Sequence, residues 1–559
     1  MHATLVEALT GLRDDLAGVE LGLEVPEADR VRRLRGELVG QIDDYLLPRL
    51  RQMDAPLLMV VGGSTGAGKS TLVNSLVGTE VSRAGVLRPT TRAPVLVCHP
   101  DDLRWFEDDR VLPGLSRTTG RTAPPGGLQL VPSQRLPAGL ALLDSPDIDS
   151  VVEANRALAG QLLAAADSWL FVTTAARYAD AVPWELLHAA RDRGTALSLV
   201  LNRVPADGAE EVVGHLRQML ADRGLGETEL LVVPESDLDA GLLPAPALAP
   251  VRRWLDGLAA SAQARADLVQ RTLTGALDSL SARVETVERT ARDQLAAASE
   301  LEQAVARAYA GALAEVDETV RGGSLLRGEV LARWHEVVGT GDLMRALETR
   351  VGWLRDRVRA FVTGRPTAER EVTAAVETSV ESVVHAAADR AAERAAEGWR
   401  EHLAGRTLLA SGPRLDAASP GLVAATAAEA RAWQGFVFDL VREEGAGKRS
   451  TARLASLGVN GAGLTVMLAV FVQTGGLTGA EIAIAGGTSA LSQKVLEAIF
   501  GDQAVRALAT RARADLLARV ERLLAGEAER FTGLVRPLAP APEGPDRLRA
   551  ARQAVERAR

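Results

Sequence analysis

"VVGGSTGAGKSTLVNSLVGTE", Val60–Glu80, is the stretch whose reading decides the fold. An apolar run breaks into glycines, then into Lys-Ser-Thr, then into apolar residues at helical spacing, which is the order of a strand, a turn and a helix. Inside it, "GSTGAGKS" (Gly63–Ser70) matches G-x-x-x-x-G-K-[ST], a loop whose successive backbone N–H groups converge on phosphate oxygens. Converging amides need tight, partly left-handed turns, and Gly63, Gly66 and Gly68 lack the Cβ that would oppose them. Lys69 is expected to reach the β- and γ-phosphates and Ser70 to offer its hydroxyl to Mg²⁺, while the helix opening at Thr71 adds its N-terminal dipole.

The flanking sequence supports this reading. Short apolar runs recur as "LLMVVGG", "APVLVCHP", "GLALLDSPD", "SWLFVTTA", "ALSLVLNRV" and "ELLVVPES", with helical patterns such as "WELLHAARDRG" between most of them. Strands alternating with helices predict a mostly parallel sheet flanked by helices, over residues 51–256. Residues 1–50 alternate apolar and charged residues at helical spacing and are expected to pack with the helices that follow the sheet. From Val251 to Arg365 there is no proline, and Ala, Leu, Arg and Glu dominate. Long amphipathic helices packed as an all-α bundle are expected over 257–453. A returning helix and tail occupy 501–559, with "RPLAPAPEGPD" as a linker and a short charged helix at most beyond it.

Between the two helical stretches, residues 454–500 form a hydrophobic tip, and no residue between Arg453 and Glu481 is charged. Its densely apolar core, "LTVMLAVFV", would cover only about 13 Å of a hydrocarbon layer about 30 Å thick. Many glycines, Asn460, Gln473 and Glu481 leave the segment near balance between water and lipid. A hairpin dipping into a membrane through 458–497, a constitutive span and a buried hairpin within the bundle all remain open. Trp433, Phe436 and Phe438, just before it, suit either an interfacial belt or a bundle core.

Composition narrows the classes. A net charge of −9 argues against a nucleic-acid protein, so no nucleic-acid partner is expected. The single cysteine, Cys98, permits no internal disulfide and suits a reducing cytoplasm; the scattered histidines form no ligand-spaced cluster. Among 64 Lys and Arg residues only Lys69, Lys448 and Lys494 are lysines. A lysine retained against that bias marks a place that needs a compact ammonium. The superficially similar "GAGKRS" (Gly445–Ser450) lacks a preceding strand and the right glycine spacing, and reads as a basic turn.

"GAGKSTLVNSLVG", the later "LRPTTRAPVLV", "LLDSPD" and "LNRV" together resemble the translation-factor-related GTPases, dynamins among them. The layout of helix, P-loop domain, long bundle, hydrophobic tip and returning helix is similar to that of bacterial dynamin-like proteins. The resemblance implies GTP/GDP and Mg²⁺ as ligands. It also implies a contact set of Gly63, Ser64, Gly66, Ala67, Gly68, Lys69, Ser70 and Thr71, with Asn202, Arg203 and Ser236 at the base. Ser70, Thr91 and Asp144 would serve the metal, Asp144 through water, and Lys69, Thr65, Thr91 and Asp144 would carry catalysis. Further implications are a homodimer through the GTPase domain, a paralogous dynamin-like partner, lipid contact at the tip, and a cytoplasmic protein at the cell membrane that remodels it.

Three departures stand beside the resemblance. Asp147 replaces the glycine that gives its N–H to the γ-phosphate; Asn202-Arg203-Val204-Pro205 lacks the base-reading aspartate, with Asp207 nearby; and Thr65 stands where dynamins place a water-positioning glutamine. Arg92 and Arg177 are candidate arginine fingers, or surface arginines. The alternatives are a soluble regulatory GTPase with a partner-binding helical region, and a nucleotide-binding scaffold with little turnover.

Overall fold

The computed structural model describes residues 2–82, 93–108, 111–112, 115–119, 127–146, 153–321, 366–445 and 502–559. The chain begins with helices α1 (His2–Gly18) and α2 (Ala28–Gln41), a π-helical turn (Ile42–Leu46) and α3 (Leu47–Arg51). Then follow β1 (Leu57–Gly63), α4 (Lys69–Val77), β2 (Val95–Cys98), β3 (Arg117–Thr118), β4 (Leu128–Pro132) and β5 (Leu140–Asp144). The sheet is completed by α5 (Glu153–Ala164), β6 (Ser168–Thr174), α6 (Ala181–Arg193), β7 (Ala196–Val204), α7 (Ala209–Asp222) and β8 (Glu229–Pro234).

The eight strands lie in the order β3-β4-β2-β5-β1-β6-β7-β8. Among the described strands only the β2–β5 pairing is antiparallel. All seven residues of β1 are buried because helices cover both faces, which is why it reads as a continuous apolar run. Leu57, Met59 and Val61 enter one core and Leu58 and Val60 the other. Parallel registers pair Val61 with Asp144, Gly63 with Val172 and Thr174 with Asn202, so β1, β5, β6 and β7 end together.

After the sheet come α8 (Ala245–Ala260) and the 60-residue α9 (Ala262–Arg321), then α10 (Pro366–Arg400), α11 (Leu403–Ser411), α12 (Leu422–Gly445) and α13 (Asp502–Val535). One compact unit comprises Gly22–Pro26 and Asp293–Ala539. Its core is rich in alanine from α10, closed by Trp399, Trp433 and Phe531. Both indoles are satisfied: Trp399 donates to the Leu301 carbonyl at 3.1 Å and Trp433 to that of Ala512 at 2.8 Å. Trp433 is fully buried and Phe436 and Phe438 pack against the same core, which settles that aromatic cluster as interior.

The other unit comprises Met1–Leu21, Glu27–Arg292 and Pro540–Arg559. The division falls inside α9, and the first helices are grouped with the sheet and the first half of α9. The reason is a shared apolar core: Leu9, Leu12 and Leu16 of α1 and Leu273 and Leu280 of α9 join one face of the sheet. A last helix, α14 (Gly544–Ala558), adds Leu548 and Val555 to that core. Arg549 also reaches the buried Glu288 carboxylate at 2.9 Å. The segment 454–500 lies outside the described residues; among those described, no helix is long and apolar enough to cross a membrane.

Candidate phosphate-binding site

β1 runs into the loop at Gly63, whose φ is +146°, and a Cβ there would stand 2.1 Å from the Val172 carbonyl oxygen. Gly68, at φ +94°, opens α4, and a Cβ there would meet the Asn202 amide at 2.5 Å. Glycine is therefore required at Gly63 by backbone conformation and by space, and at Gly68 by backbone conformation. Lys69 is buried, and its ammonium donates to the carbonyls of Gly63 at 2.8 Å and Ser64 at 3.1 Å. Ser64 also accepts from the Ala67 N–H, which tightens the turn over Thr65 and Gly66.

Asp144 ends β5 fully buried beside that loop. Ser70 donates its hydroxyl to Asp144 Oδ2 at 2.6 Å, so two of the expected metal residues meet. A second hydroxyl, that of Ser82, reaches the same oxygen at 2.5 Å. Ser82 is placed by Asn74 of α4, whose Oδ1 accepts from the N–H groups of Val81 and Ser82, both at 2.9 Å, and whose Nδ2 donates to the Ser82 carbonyl at 2.7 Å. Ser82 has no motif signal in the sequence; only the fold brings it to Asp144.

Asn202, buried near the end of β7, donates to the Ala67 carbonyl at 2.9 Å and accepts from the Arg203 N–H at 2.9 Å. Arg203 takes a left-handed φ of +53° and is exposed. Ser236 follows β8, its hydroxyl donating to the Pro234 carbonyl at 3.3 Å; Asp207 is exposed before α7. The turn after β6 carries Arg177, which donates to the Thr65 carbonyl at 2.9 Å and to Asp180 at 2.9 Å. Thr71 is half-buried in the first turn of α4 and accepts from the Ser75 hydroxyl at 2.6 Å. Thr91, Arg92 and Asp147 lie outside the described residues.

The loop, Lys69, Ser70, Asp144 and Asn202 are thus brought together, with Thr65 at the outer turn, while Ser236 stands on a separate loop after β8. The donor set fits a hard cation beside phosphate: a hydroxyl and a carboxylate oxygen in contact, with an ammonium held on loop carbonyls nearby. Among the described residues no three His, Cys, Asp or Glu side chains are grouped to hold a metal ion. A cation at Ser70 and Asp144 therefore needs oxygens from elsewhere, the phosphates first among them.

Sheet and loop together define a P-loop α/β nucleotide-binding fold. No family model matches the chain. It is 27% identical, over 132 residues, to a probable chloroplastic transmembrane GTPase, FZO-like, of Arabidopsis thaliana, which covers 24% of this chain and 13% of that protein. It is 34% identical, over 113 residues, to the tRNA modification GTPase MnmE of Chlorobium luteolum, which covers 18% of this chain and 24% of that one. The chain thus spans 13% and 24% of the curated relatives it matches. A solved structure of an oligomerised bacterial dynamin pair, described as giving a mechanism for long-range sensing and tethering of membranes, aligns at TM-score 0.39 and 10% identity. That alignment covers 99% of this chain and 95% of that one.

Proposed function

We propose that the chain is a dynamin-like GTPase that hydrolyses GTP to GDP and phosphate. The observation that carries this is the meeting of Lys69, Ser70 and Asp144 at one end of β1 and β5, beside a loop only glycine can form. Two relatives named as GTPases support the nucleotide-binding part. Lys69 would leave the Gly63 and Ser64 carbonyls for the β- and γ-phosphate oxygens, a short swing for a buried ammonium already inside the loop. Ser70 and Asp144 would hold Mg²⁺, Asp144 through water, with Thr91 completing the set. Mg²⁺, when bound, supplies charge neutralisation between the β- and γ-phosphates. Asn202 would fix the base-side loop to Ala67, with Arg203 and Ser236 at the purine.

Thr65 is too short to act as the glutamine it replaces, so turnover would be slow or would need a water-positioning group from a partner. Arg177, which donates to the Thr65 carbonyl, would steady developing charge at that turn. The same reading extends to GTPase-domain dimerisation, a paralogous partner, lipid contact through 458–497 and remodelling of the cell membrane from its cytoplasmic side. These rest on the resemblance in layout.

Phosphate release from GTP is expected to depend on Mg²⁺ and to vanish in Lys69→Ala, with GTP outcompeting ATP. Binding without turnover would sink the enzyme and leave the scaffold. Flotation with liposomes is expected to recover the full chain in the lipid fraction but not a chain lacking 458–497; equal recovery of both in the soluble fraction would sink the membrane reading.

A further inference from the structure

Two hydroxyls share one oxygen of the buried Asp144 carboxylate, and only one of them belongs to the P-loop. Ser70 comes from the first turn of α4, whereas Ser82 lies beyond the end of that helix. Ser82 is 2% exposed and has little freedom, because Asn74 holds its N–H and its carbonyl from the last turns of α4. The same helix thus supplies Ser70 at one end and, through Asn74, fixes Ser82 at the other. A buried carboxylate needs donors to remain charged and to keep one orientation. The Asn74 clip supplies such a donor whether or not Ser70 is engaged elsewhere.

We propose that Ser82 is a positioning residue for the cation site: its hydroxyl, clipped by Asn74, fixes the Asp144 carboxylate so that Oδ2 faces the Ser70 hydroxyl. The proposal rests on the nucleotide-and-Mg²⁺ reading above and deepens it. When Ser70 turns its oxygen to a cation, Asp144 retains the Ser82 hydrogen bond and does not rotate away. Groups that orient a metal-linked carboxylate commonly affect metal affinity by about tenfold or more when removed.

The test follows release of a fluorescent GDP analogue from the full chain as free Mg²⁺ is varied. Mg²⁺ is expected to slow release from the wild type. Ser82→Ala should need about tenfold more Mg²⁺ for half the effect, with release in EDTA unchanged within about twofold. Asn74→Ala, which frees Ser82 without deleting it, should shift the requirement in the same direction, and it keeps the proposal testable if Ser82→Ala misfolds. A half-effect concentration at the wild-type value in either folded variant overturns the proposal while leaving the GTPase reading intact. Release from the wild type that ignores Mg²⁺ also overturns the proposal, and phosphate release from GTP then decides the GTPase reading separately.

Discussion

Where β1, β5 and β7 end, the sheet-bearing unit buries Lys69, Asp144 and Asn202; along α10 the helical unit buries Ala387, Ala388, Ala391, Ala395 and Ala396. The first set is tolerable only because each group has its partner within hydrogen-bond distance, so the arrangement is specified residue by residue. The second is held by area and close approach, with Trp399 and Phe531 meeting edge to face at 5.1 Å between ring centroids. One region is sensitive to the chemistry of a side chain, the other to its size. The difference predicts that damage in each should be read by a different measurement.

The largest effect is expected from Trp399→Ala, which empties a fully buried site and removes the hydrogen bond to Leu301, for a loss of about 3–5 kcal/mol. Thermal unfolding should record it, while affinity for a fluorescent GDP analogue at low temperature stays within about twofold. A proportionate loss of nucleotide affinity would break the comparison. Lys69→Ala should do the reverse: affinity falls by about a hundredfold, roughly 3 kcal/mol, while the unfolding midpoint scarcely moves. A large fall in the midpoint would show Lys69 to be mainly a structural tie on Gly63 and Ser64.

The P-loop was legible in the sequence because one helical turn and three glycines carry its whole signal locally. Asp144 and Asn202 entered through the family resemblance, at strand ends the apolar runs already marked, and the fold buries both beside the loop. Ser82 was not legible: it meets Asp144 across 62 residues of chain, through a clip from Asn74 that follows no motif spacing. Arg177 was legible as a charge but not as the partner of Thr65, 112 residues away. The docking of α14 was missed for another reason. Its apolar stripe, Leu548 and Val555, is thin among arginines, and it becomes a core element only because Leu9 and Leu12 lie opposite. The aromatic cluster at 433–438 shows that composition alone does not separate a bundle core from a membrane-facing belt.

A smaller loss tests the polar side of the comparison. Asn202→Ala removes the amide bonded to Ala67 and leaves that carbonyl without this donor, at an expected 1–2 kcal/mol, or about tenfold in GDP affinity. Arg203→Ala, at an exposed position, should cost less than threefold, and a larger loss would put its stem against the base.

A last effect of this small size concerns a polar group the sheet-bearing unit satisfies poorly. Burial raises the Asp44 carboxyl from its usual 3.8 to about 6, the neighbouring Asp43 adds to the rise, and a hydrogen bond from Gln161 opposes it. Between those two values the folded chain binds a proton the unfolded chain has released. Stability from this group is therefore greatest below about pH 4 and declines as pH rises toward and through 6. Solvent still reaches part of the carboxylate, so the decline is about 1 kcal/mol rather than the full shift. Asp44→Asn should remove it: urea unfolding of the two proteins is expected to converge near pH 4 and to favour the variant by about 1 kcal/mol at pH 7. Parallel curves across that window would mean Asp44 is solvated as a charge. The sheet-bearing unit would then contain no strained polar burial at this turn, and its distinction from the helical unit would narrow to the phosphate site alone.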